Sequence, residues 1–225
     1  MWNLPPPPGY QGLREDLALT VYQLGLPHWR QEGATYFVTF RLHDSLPQTK
    51  LVELRAIKAD WERRHPPPRS VEVLEDLTRE TMRRVEMWLD QGMGCCCLRS
   101  PSASRVVEET LHATDGTACE LDCYVIMPNH VHAVVRPLHS TVTSLEKVLQ
   151  SWKGATARTI NAHLGRSGTL WQRESFDRII RDEEHLWRTI QYIGENPRKA
   201  NLDESAYRLW IRPERNSLGW GFQHA

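Results

Sequence analysis

A β-hairpin pattern in the middle of the chain constrains the fold more than any other sequence feature. Two runs of β-type residues, CELDCYVIM at 119–127 and HVHAVVRP at 130–137, are separated only by a proline-asparagine turn signal. The pattern predicts two antiparallel strands joined by a short turn. Because side chains alternate between the faces of a strand, His130 and His132 share one face of the second strand, and the apolar residues beside them take the other.

Helical and strand patterns flank this hairpin. GATYFVTFRL alternates in hydrophobicity and predicts a strand at 33–42, whereas KLVELRAIKADWERR predicts a helix at 50–64 that ends at HPPP. Further helices are predicted at 70–89, 105–112, 143–165 and 182–197, the last ending at Pro197, and a strand is predicted at 168–181. The order of these elements predicts an α+β fold with an antiparallel sheet and a helical insertion at about 66–117.

Composition and length narrow the class of protein. The 225 residues are 40% hydrophobic and 25% charged, and no run approaches the roughly 18 apolar residues that a membrane helix needs. The N-terminal sequence, MWNLPPPPGY, lacks the features of a secretory signal. The five cysteines are odd in number and three of them are consecutive, which fits reduced thiols better than disulfides. We therefore expect a cytoplasmic protein without a membrane partner.

The two histidines of the hairpin are candidate metal ligands. Ten histidines in this chain give roughly 0.4 His-x-His pairs by chance, so the pair alone is weak evidence, and two histidines on a half-exposed strand are the simpler interpretation. A zinc site with Cys119 and Cys123 is disfavoured, because sulfurs four residues apart on a strand lie about 13 Å apart. Those thiols are better explained as small core residues.

A second set of candidates lies in the predicted C-terminal helix. Among the six tyrosines only Tyr192 has an amide residue four positions later, Asn196. Residues at i and i+4 lie on the same helical face, so a phenol nucleophile and an amide ligand would be presented together to a metal bound by His130 and His132. The alternative is a half-buried core tyrosine and an asparagine that caps the helix before proline.

Three sequence blocks together resemble the REP-associated tyrosine transposases, a branch of the single-strand DNA transposases of the HUH, one-tyrosine class. The blocks are GATYFVTFRL, MPNHVHAVV and LWQRESFDRIIRDEEHLWRTIQYIGENPRKANL, and the resemblance covers roughly residues 27–202. It implies the HUH endonuclease fold, a ferredoxin-like antiparallel sheet with helices on one face. A proline-rich arm at 1–26, the insertion at about 66–117 and a C-terminal tail at 203–225 do not match the family.

The resemblance also implies an activity and the residues that perform it. His130 and His132 match the HUH pair, Tyr192 matches the nucleophile, and Asn196 matches the third ligand of Mg²⁺ or Mn²⁺. The tyrosine would cleave single-stranded or hairpin DNA to give a 5′-phosphotyrosine and a free 3′-OH. Such an active site is built within a monomer or shared by the two chains of a homodimer. No residue is identified as the general base, since Glu195 points about 100° away from Asn196 on the helix.

DNA contacts are expected from a basic stretch. Between residues 146 and 181 there are seven basic and three acidic residues, a net charge of +4. The predicted phosphate ligands are Lys153, Arg158, Arg173, Arg178 and Arg181, and Trp152 and Trp171 are expected to stack on unpaired bases. Each tryptophan taken alone is more often a core residue, and a weak ion pair between Asp177 and Arg181 is also expected.

Two other functions compete with an active transposase or nuclease. A hairpin-binding regulator would keep the fold and lose the reaction, and a metal-dependent hydrolase without a covalent step would tolerate the loss of Tyr192. The sequence favours the active enzyme because all four chemical positions are filled. Gly194 weakens the helix between nucleophile and ligand, and indicates either a mobile helix or a simple helix-end glycine.

Overall fold

Seven strands are present in the computed structural model, which describes residues 4–23, 27–138 and 144–223. In chain order they are β1 (Thr20–Gln23), β2 (Pro27–Arg30), β3 (Tyr36–Arg41), β4 (Cys119–Ile126), β5 (His130–Pro137), β6 (Phe176–Ile179) and β7 (Arg208–Ile211). β1 and β2 form a small separate hairpin. The other five form one antiparallel sheet in the spatial order β6-β3-β5-β4-β7.

Six α-helices accompany the sheet within the described residues. They are α1 (Gln48–Arg64), α2 (Val71–Leu89), α3 (Pro101–Thr114), α4 (Leu145–His163), α5 (Glu183–Lys199) and α6 (Pro213–Ser217). The succession β3, α3, β4, β5, α4, β6 and the spatial order of these strands are those of a ferredoxin-like βαββαβ unit, to which β7 adds one edge strand. The predicted α+β class with an antiparallel ferredoxin-like sheet is therefore confirmed. None of the helices in the described segments is long and apolar enough to cross a bilayer.

The predicted hairpin is the centre of the sheet. β4 pairs with β5 across the turn, and β5 pairs with β3 on its other side, so that His132 lies opposite Thr39 and His130 lies opposite Arg41. The alternation predicted for β3 and β5 holds along both strands. Their odd and even positions therefore face two different helical layers.

One face of the sheet is covered by α3 and α4 and contains the larger apolar core. Phe40 and Val131 of the sheet pack here with Leu111 of α3 and Trp152 of α4. We call it the α3/α4 face. These two helices are the pair that a ferredoxin-like fold places on one side of its sheet, and α3 belongs to it although its residues fall within the predicted insertion.

The opposite face is covered by α5 and by the α1–α2 hairpin, which we call the α5 face. Phe37 and Val134 of the sheet pack against Ile190 and Ile193 of α5. The α1–α2 hairpin has a small core of its own, formed by Leu46, Val85, Trp88 and Leu89. Helices thus occupy both faces, because the tyrosine-bearing helix packs opposite to the ferredoxin pair.

Two predicted boundaries differ from the structure. α5 continues through Pro197 to Lys199, because a proline in the last turn removes only one main-chain donor, and the helix closes with a 3.1 Å bond from the Ala200 N–H to the Asn196 carbonyl. The strand predicted at 168–181 contains only the four residues of β6. Before it, Trp171 forms a single isolated bridge with Leu42.

The proline-rich arm packs against the C-terminal segment of the chain. Trp220 Nε1 donates a 3.2 Å hydrogen bond to the Pro5 carbonyl, and an Arg215 N–H donates a 2.8 Å bond to the Pro8 carbonyl. The same guanidinium forms a buried ion pair with Asp122 of β4. These bonds hold both segments against the β4 side of the sheet.

Candidate active site

Two imidazole rings meet on the α5 face of β5. His130 is 1% exposed and His132 is fully buried, and their Nε2 atoms are 3.0 Å apart. The ring of Phe37 stacks on His132 with a centroid distance of 5.3 Å. The alternation of the strand brings the rings together, as the spacing predicted, but they are fully buried rather than half exposed.

The outer nitrogens of both rings are already bonded. Asn129 donates from Nδ2 to the carbonyls of Leu89 and Met93 at 3.1 and 3.2 Å, so its Oδ1 faces His130 Nδ1 at 2.7 Å. An amide oxygen only accepts, so His130 carries its proton on Nδ1 and directs a lone pair from Nε2. His132 Nδ1 lies 2.7 Å from Thr39 Oγ1, which likewise leaves its Nε2 directed at His130.

This arrangement fits a pair of metal ligands. Two nitrogens bound to one ion at about 2.1 Å and at a right angle to each other are about 3.0 Å apart, which matches the observed Nε2 separation. Burial lowers the pKa of His130 to about 3, and burial followed by the neighbouring His130 lowers the pKa of His132 well below its usual range. Both rings are therefore neutral at pH 7, the form in which imidazole binds metals.

Tyr192 and Asn196 of α5 lie against this pair. The rings of Tyr192 and His132 have a centroid distance of 5.4 Å, and Asn196 is close enough to affect the pKa of both side chains. Asn196 Nδ2 also donates a 2.9 Å bond to the main-chain carbonyl of Tyr192. The structure thus brings together the four residues that the sequence proposes for catalysis and metal binding. Two of them come from β5 and two from α5, which are distant in the chain.

Glu86 of α2 is a fifth member of the site, and sequence reasoning missed it. Its side chain lines the same cavity as Tyr192. Burial, with a contribution from Asp90, raises the pKa of Glu86 to about 7, against the opposing effects of Tyr192 and Lys199. Burial and Glu86 in turn raise the pKa of Tyr192 well above its usual value. The sequence signal was an acid within the apolar stripe of α2, four residues after Met82 and three before Leu89.

The two tryptophans predicted to stack on bases lie on the wrong face of the sheet. Trp152 is fully buried in the α3/α4 core, and Trp171 is 5% exposed, edge-on to Phe40. Each indole N–H is bonded to a threonine hydroxyl at 2.8 Å, Trp152 to Thr114 and Trp171 to Thr156. This corrects the prediction, because packing leaves neither ring free to receive a base.

The predicted basic stretch is divided between two places. Arg158 and Arg173 are exposed, and Lys153 donates to the carbonyls of Gln172 and Arg173 at 2.9 and 3.1 Å, with a pKa that burial and then Arg41 lower to about 8. Arg178 and Arg181 instead line a cavity that reaches Tyr192.

The expected ion pair between Asp177 and Arg181 is replaced by two others. Asp177 is buried and binds Arg30 at 2.5 Å and His28 at 2.7 Å, whereas Arg181 pairs with Glu75 of α2. The reason is distance, because residues four positions apart in an extended chain are separated by about 13 Å.

Gly194 lies inside α5 rather than at its end. It is buried in α5, and a Cβ there would approach the ring of Phe222 to 2.6 Å. Glu195, one residue further, forms a 3.0 Å ion pair with Lys199. Gly194 therefore permits close contact between α5 and the C-terminal segment.

A comparison with protein families agrees with the family that the sequence resembles. Residues 97–196 match the family described as "Transposase IS200 like". An uncharacterised protein of Haemophilus influenzae is 30% identical over 96 residues, 34% of this chain and 53% of that relative, so the chain spans about half the length of the curated relative it matches. A solved structure of a REP-associated tyrosine transposase bound to a REP hairpin is 15% identical, with a TM-score of 0.37 over 77% of this chain and 72% of the other. The segment matched by the family contains both histidines, Tyr192 and Asn196.

Proposed function

Because residues 97–196 match the IS200-like transposase family, we propose that this chain cleaves and rejoins single-stranded or hairpin DNA with Tyr192 as nucleophile. The observation that carries the proposal is the contact between the rings of Tyr192 and His132, whose Nε2 lies 3.0 Å from that of His130 on one face of the sheet. The reaction takes place in the cytoplasm, on transposable or repeat-associated DNA.

His130, His132 and Asn196 are the residues that would hold Mg²⁺ or Mn²⁺. A divalent ion supplies a Lewis acid that neutralises charge on the scissile phosphate. Imidazole is a poorer ligand for Mg²⁺ than for transition metals, so we expect Mn²⁺ to support cleavage at least as well. Titrating the two ions in a cleavage assay tests this ligand set, and activity with Mg²⁺ alone would contradict it.

The chain itself supplies the nucleophile and the path of its proton. The Tyr192 oxygen bonds to phosphorus while the bond from phosphorus to the 3′ oxygen breaks, which leaves a 5′-phosphotyrosine and, after protonation from water, a free 3′-OH. Glu86 lines the cavity beside Tyr192 and accepts the proton that the phenol loses. A 3′-OH can reverse the step, so strand joining requires no ATP.

The test is a covalent adduct. Full-length protein incubated with single-stranded hairpin DNA and Mn²⁺ should give a band that resists denaturation and contains both protein and DNA. Tyr192→Phe removes only the nucleophilic oxygen, so it should abolish the band while hairpin binding stays within about twofold of wild type. A Tyr192→Phe variant that still forms the adduct would overturn the proposed nucleophile.

A regulator that binds hairpins without cleaving them is the second candidate. One observation favours it: the histidine rings are closed off from solvent, and the end of α2 is bonded to the turn that precedes them. A regulator predicts hairpin binding by the wild type and no adduct at any Mn²⁺ concentration. The same experiment therefore separates the two functions.

A further inference from the structure

Two cavities border α2 on the α5 face, and they adjoin each other. The first, of about 340 Å³, extends between α2, β6 and α5 to Tyr192, and we call it the tyrosine cavity. The second, of about 330 Å³, extends between α1, α2 and β3 to Thr39, and we call it the threonine cavity. Met82 and Phe176 line both cavities, so the two meet at these side chains.

The cavities reach the candidate active site from two sides. The tyrosine cavity ends at Tyr192 and Glu86, and the threonine cavity ends at Thr39, whose hydroxyl lies 2.7 Å from His132 Nδ1. The hydroxyl of Thr39 therefore links the threonine cavity to His132, and neither histidine itself lines a cavity. A chain molecule that occupied both cavities would pass Thr39 and Tyr192.

Both cavities have basic linings. Five arginines line the tyrosine cavity and three cations line the threonine cavity, the first set being Arg79, Arg83, Arg178, Arg181 and Arg188 and the second Arg41, Arg55 and Lys58. Four arginines of the tyrosine cavity are ion-paired with carboxylates, namely Arg79 with Asp76, Arg83 with Glu80, Arg181 with Glu75 and Arg188 with Glu184. Basic side chains still outnumber acidic ones in both linings, which favours an anionic occupant.

Arg178 and Arg55 are the most informative of these cations. Among the residues whose side chains the structure describes, neither has a hydrogen-bonded or ion-paired partner. Arg178 is half-buried in β6, and burial followed by Arg181 lowers its pKa. A half-buried guanidinium without a counter-ion is costly unless an anion arrives, and a phosphate matches its donors. The aromatic rings of Phe37 and Phe176, in the same cavity, offer a surface to a nucleobase.

We propose that the two cavities are binding sites for unpaired nucleotides on the two sides of the cut, with the tyrosine cavity holding one flank and the threonine cavity the other. The inference rests on the proposed function for the identity of the strand. Each space has the volume of a small-molecule site and admits about one nucleotide, whereas paired bases do not fit beneath α2. The α1–α2 hairpin, which adds to the ferredoxin-like core, thereby selects single strands.

The experiment measures binding without chemistry. Full-length Tyr192→Phe protein is titrated, in EDTA, against a fluorescein-labelled twelve-nucleotide oligothymidine, and affinity is read by fluorescence anisotropy. In this background Arg178→Ala should weaken binding about 10-fold and Arg55→Ala about 5-fold, because each removes a phosphate contact. Arg105→Ala, an exposed arginine of α3 on the opposite face, should stay within about twofold. A duplex of the same length should bind at least about 10-fold more weakly than the single strand.

The possible results separate this inference from the proposed function. If Arg178→Ala and Arg55→Ala both bind like Arg105→Ala, the cavities are not the path of the strand. If only one of them loses affinity, the two-sided path is overturned. Arg178→Lys keeps the charge and should regain part of the affinity, which excludes a folding defect as the cause; far-ultraviolet circular dichroism provides the second check. Absence of a wild-type adduct with Mn²⁺ would overturn the proposed reaction and leave this binding result unaffected.

Discussion

The two faces of the central sheet bury polar groups in opposite ways. On the α3/α4 side, Asp177 is enclosed with His28 and Arg30, and Arg30 also bonds Glu146 of α4, so each buried charge has a partner. On the α5 side the histidine pair is buried and Glu86 and Arg178 are half-buried, and none of the four forms an ion pair among the described residues. On the α3/α4 side, each buried charge is balanced by a partner. On the α5 side, hydrogen-bond donors and acceptors remain available to an incoming ligand.

The pKa of a histidine is therefore shifted in opposite directions on the two faces. Burial alone would lower the pKa of His28, but its hydrogen bonds to Asp177 and Glu174 outweigh burial and raise that pKa to about 9. His130 has no acid beside it, and burial lowers its pKa to about 3. A histidine paired with carboxylates is a structural cation, whereas one bonded to neutral partners keeps a lone pair. We expect substitutions on the first face to change stability and those on the second to change the reaction.

The largest effect is expected from Trp152→Ala on the α3/α4 face. The indole is fully buried and its N–H binds Thr114, so truncation should lower the free energy of unfolding by about 3–5 kcal/mol in urea denaturation. Trp187→Ala, at a half-buried position of α5, is the matched control and should cost less than half of that. Equal losses of unfolding free energy in the two variants would contradict the difference between the two faces.

The His28 cluster should make stability depend on pH. The folded pKa of about 9 exceeds the usual 6.5, so the stabilisation is fully present below about pH 6.5 and is lost as the pH rises through 9. The loss should amount to up to about 3 kcal/mol, since one pKa unit corresponds to about 1.4 kcal/mol. Urea denaturation of wild type and His28→Gln at pH 6, 8 and 10 measures it. The two curves should converge at high pH, and parallel curves would contradict the assignment.

His132→Gln should slow the reaction strongly and change stability only slightly. The rate of adduct formation with Mn²⁺ should fall at least about 100-fold, because one proposed metal ligand is lost. The free energy of unfolding should change by only about 1 kcal/mol, since the residue is neutral and one hydrogen bond to Thr39 is affected. His28→Gln is the matched control at pH 7: it should form the adduct at nearly the wild-type rate while its stability falls.

The smallest effect is expected from Glu86→Gln. Loss of the proton acceptor should slow adduct formation about 10-fold at pH 8, at the low end of general base catalysis. Because the pKa of Glu86 is raised to about 7, the wild-type rate should rise with pH up to about 7 and then level off. The groups that act on this carboxyl besides burial are the neutral Tyr192 and the charges of Asp90 and Lys199. A variant that retains the rise through pH 7 would show that another group accepts the proton.

Local sequence patterns predicted those parts of the site that depend on neighbours in the chain. The turn and the two-residue period placed both histidines on one face, and the helical period placed Tyr192 above Asn196. The resemblance to a family connected the two elements. The same reasoning misassigned Trp152 and Trp171, because a window of sequence does not reveal which face of the sheet each residue meets.

Glu86 shows a different limit of the sequence. Its partner Tyr192 is far along the chain, and the contact depends on how the α1–α2 hairpin packs over the sheet. Helical periodicity indicated that the position is buried, but not what it would touch. Arg178 is similar, since its importance comes from a cavity formed by three separate elements.

The side-chain amide of Asn129 makes hydrogen bonds in two directions at once. Asn129 binds the last turn of the α1–α2 hairpin and the residues after it through its nitrogen, and it fixes the proton of His130 through its oxygen. Any displacement of those carbonyls would pull on the group that orients the first imidazole. The position of the end of α2 and the orientation of that ring are thereby coupled through a single residue.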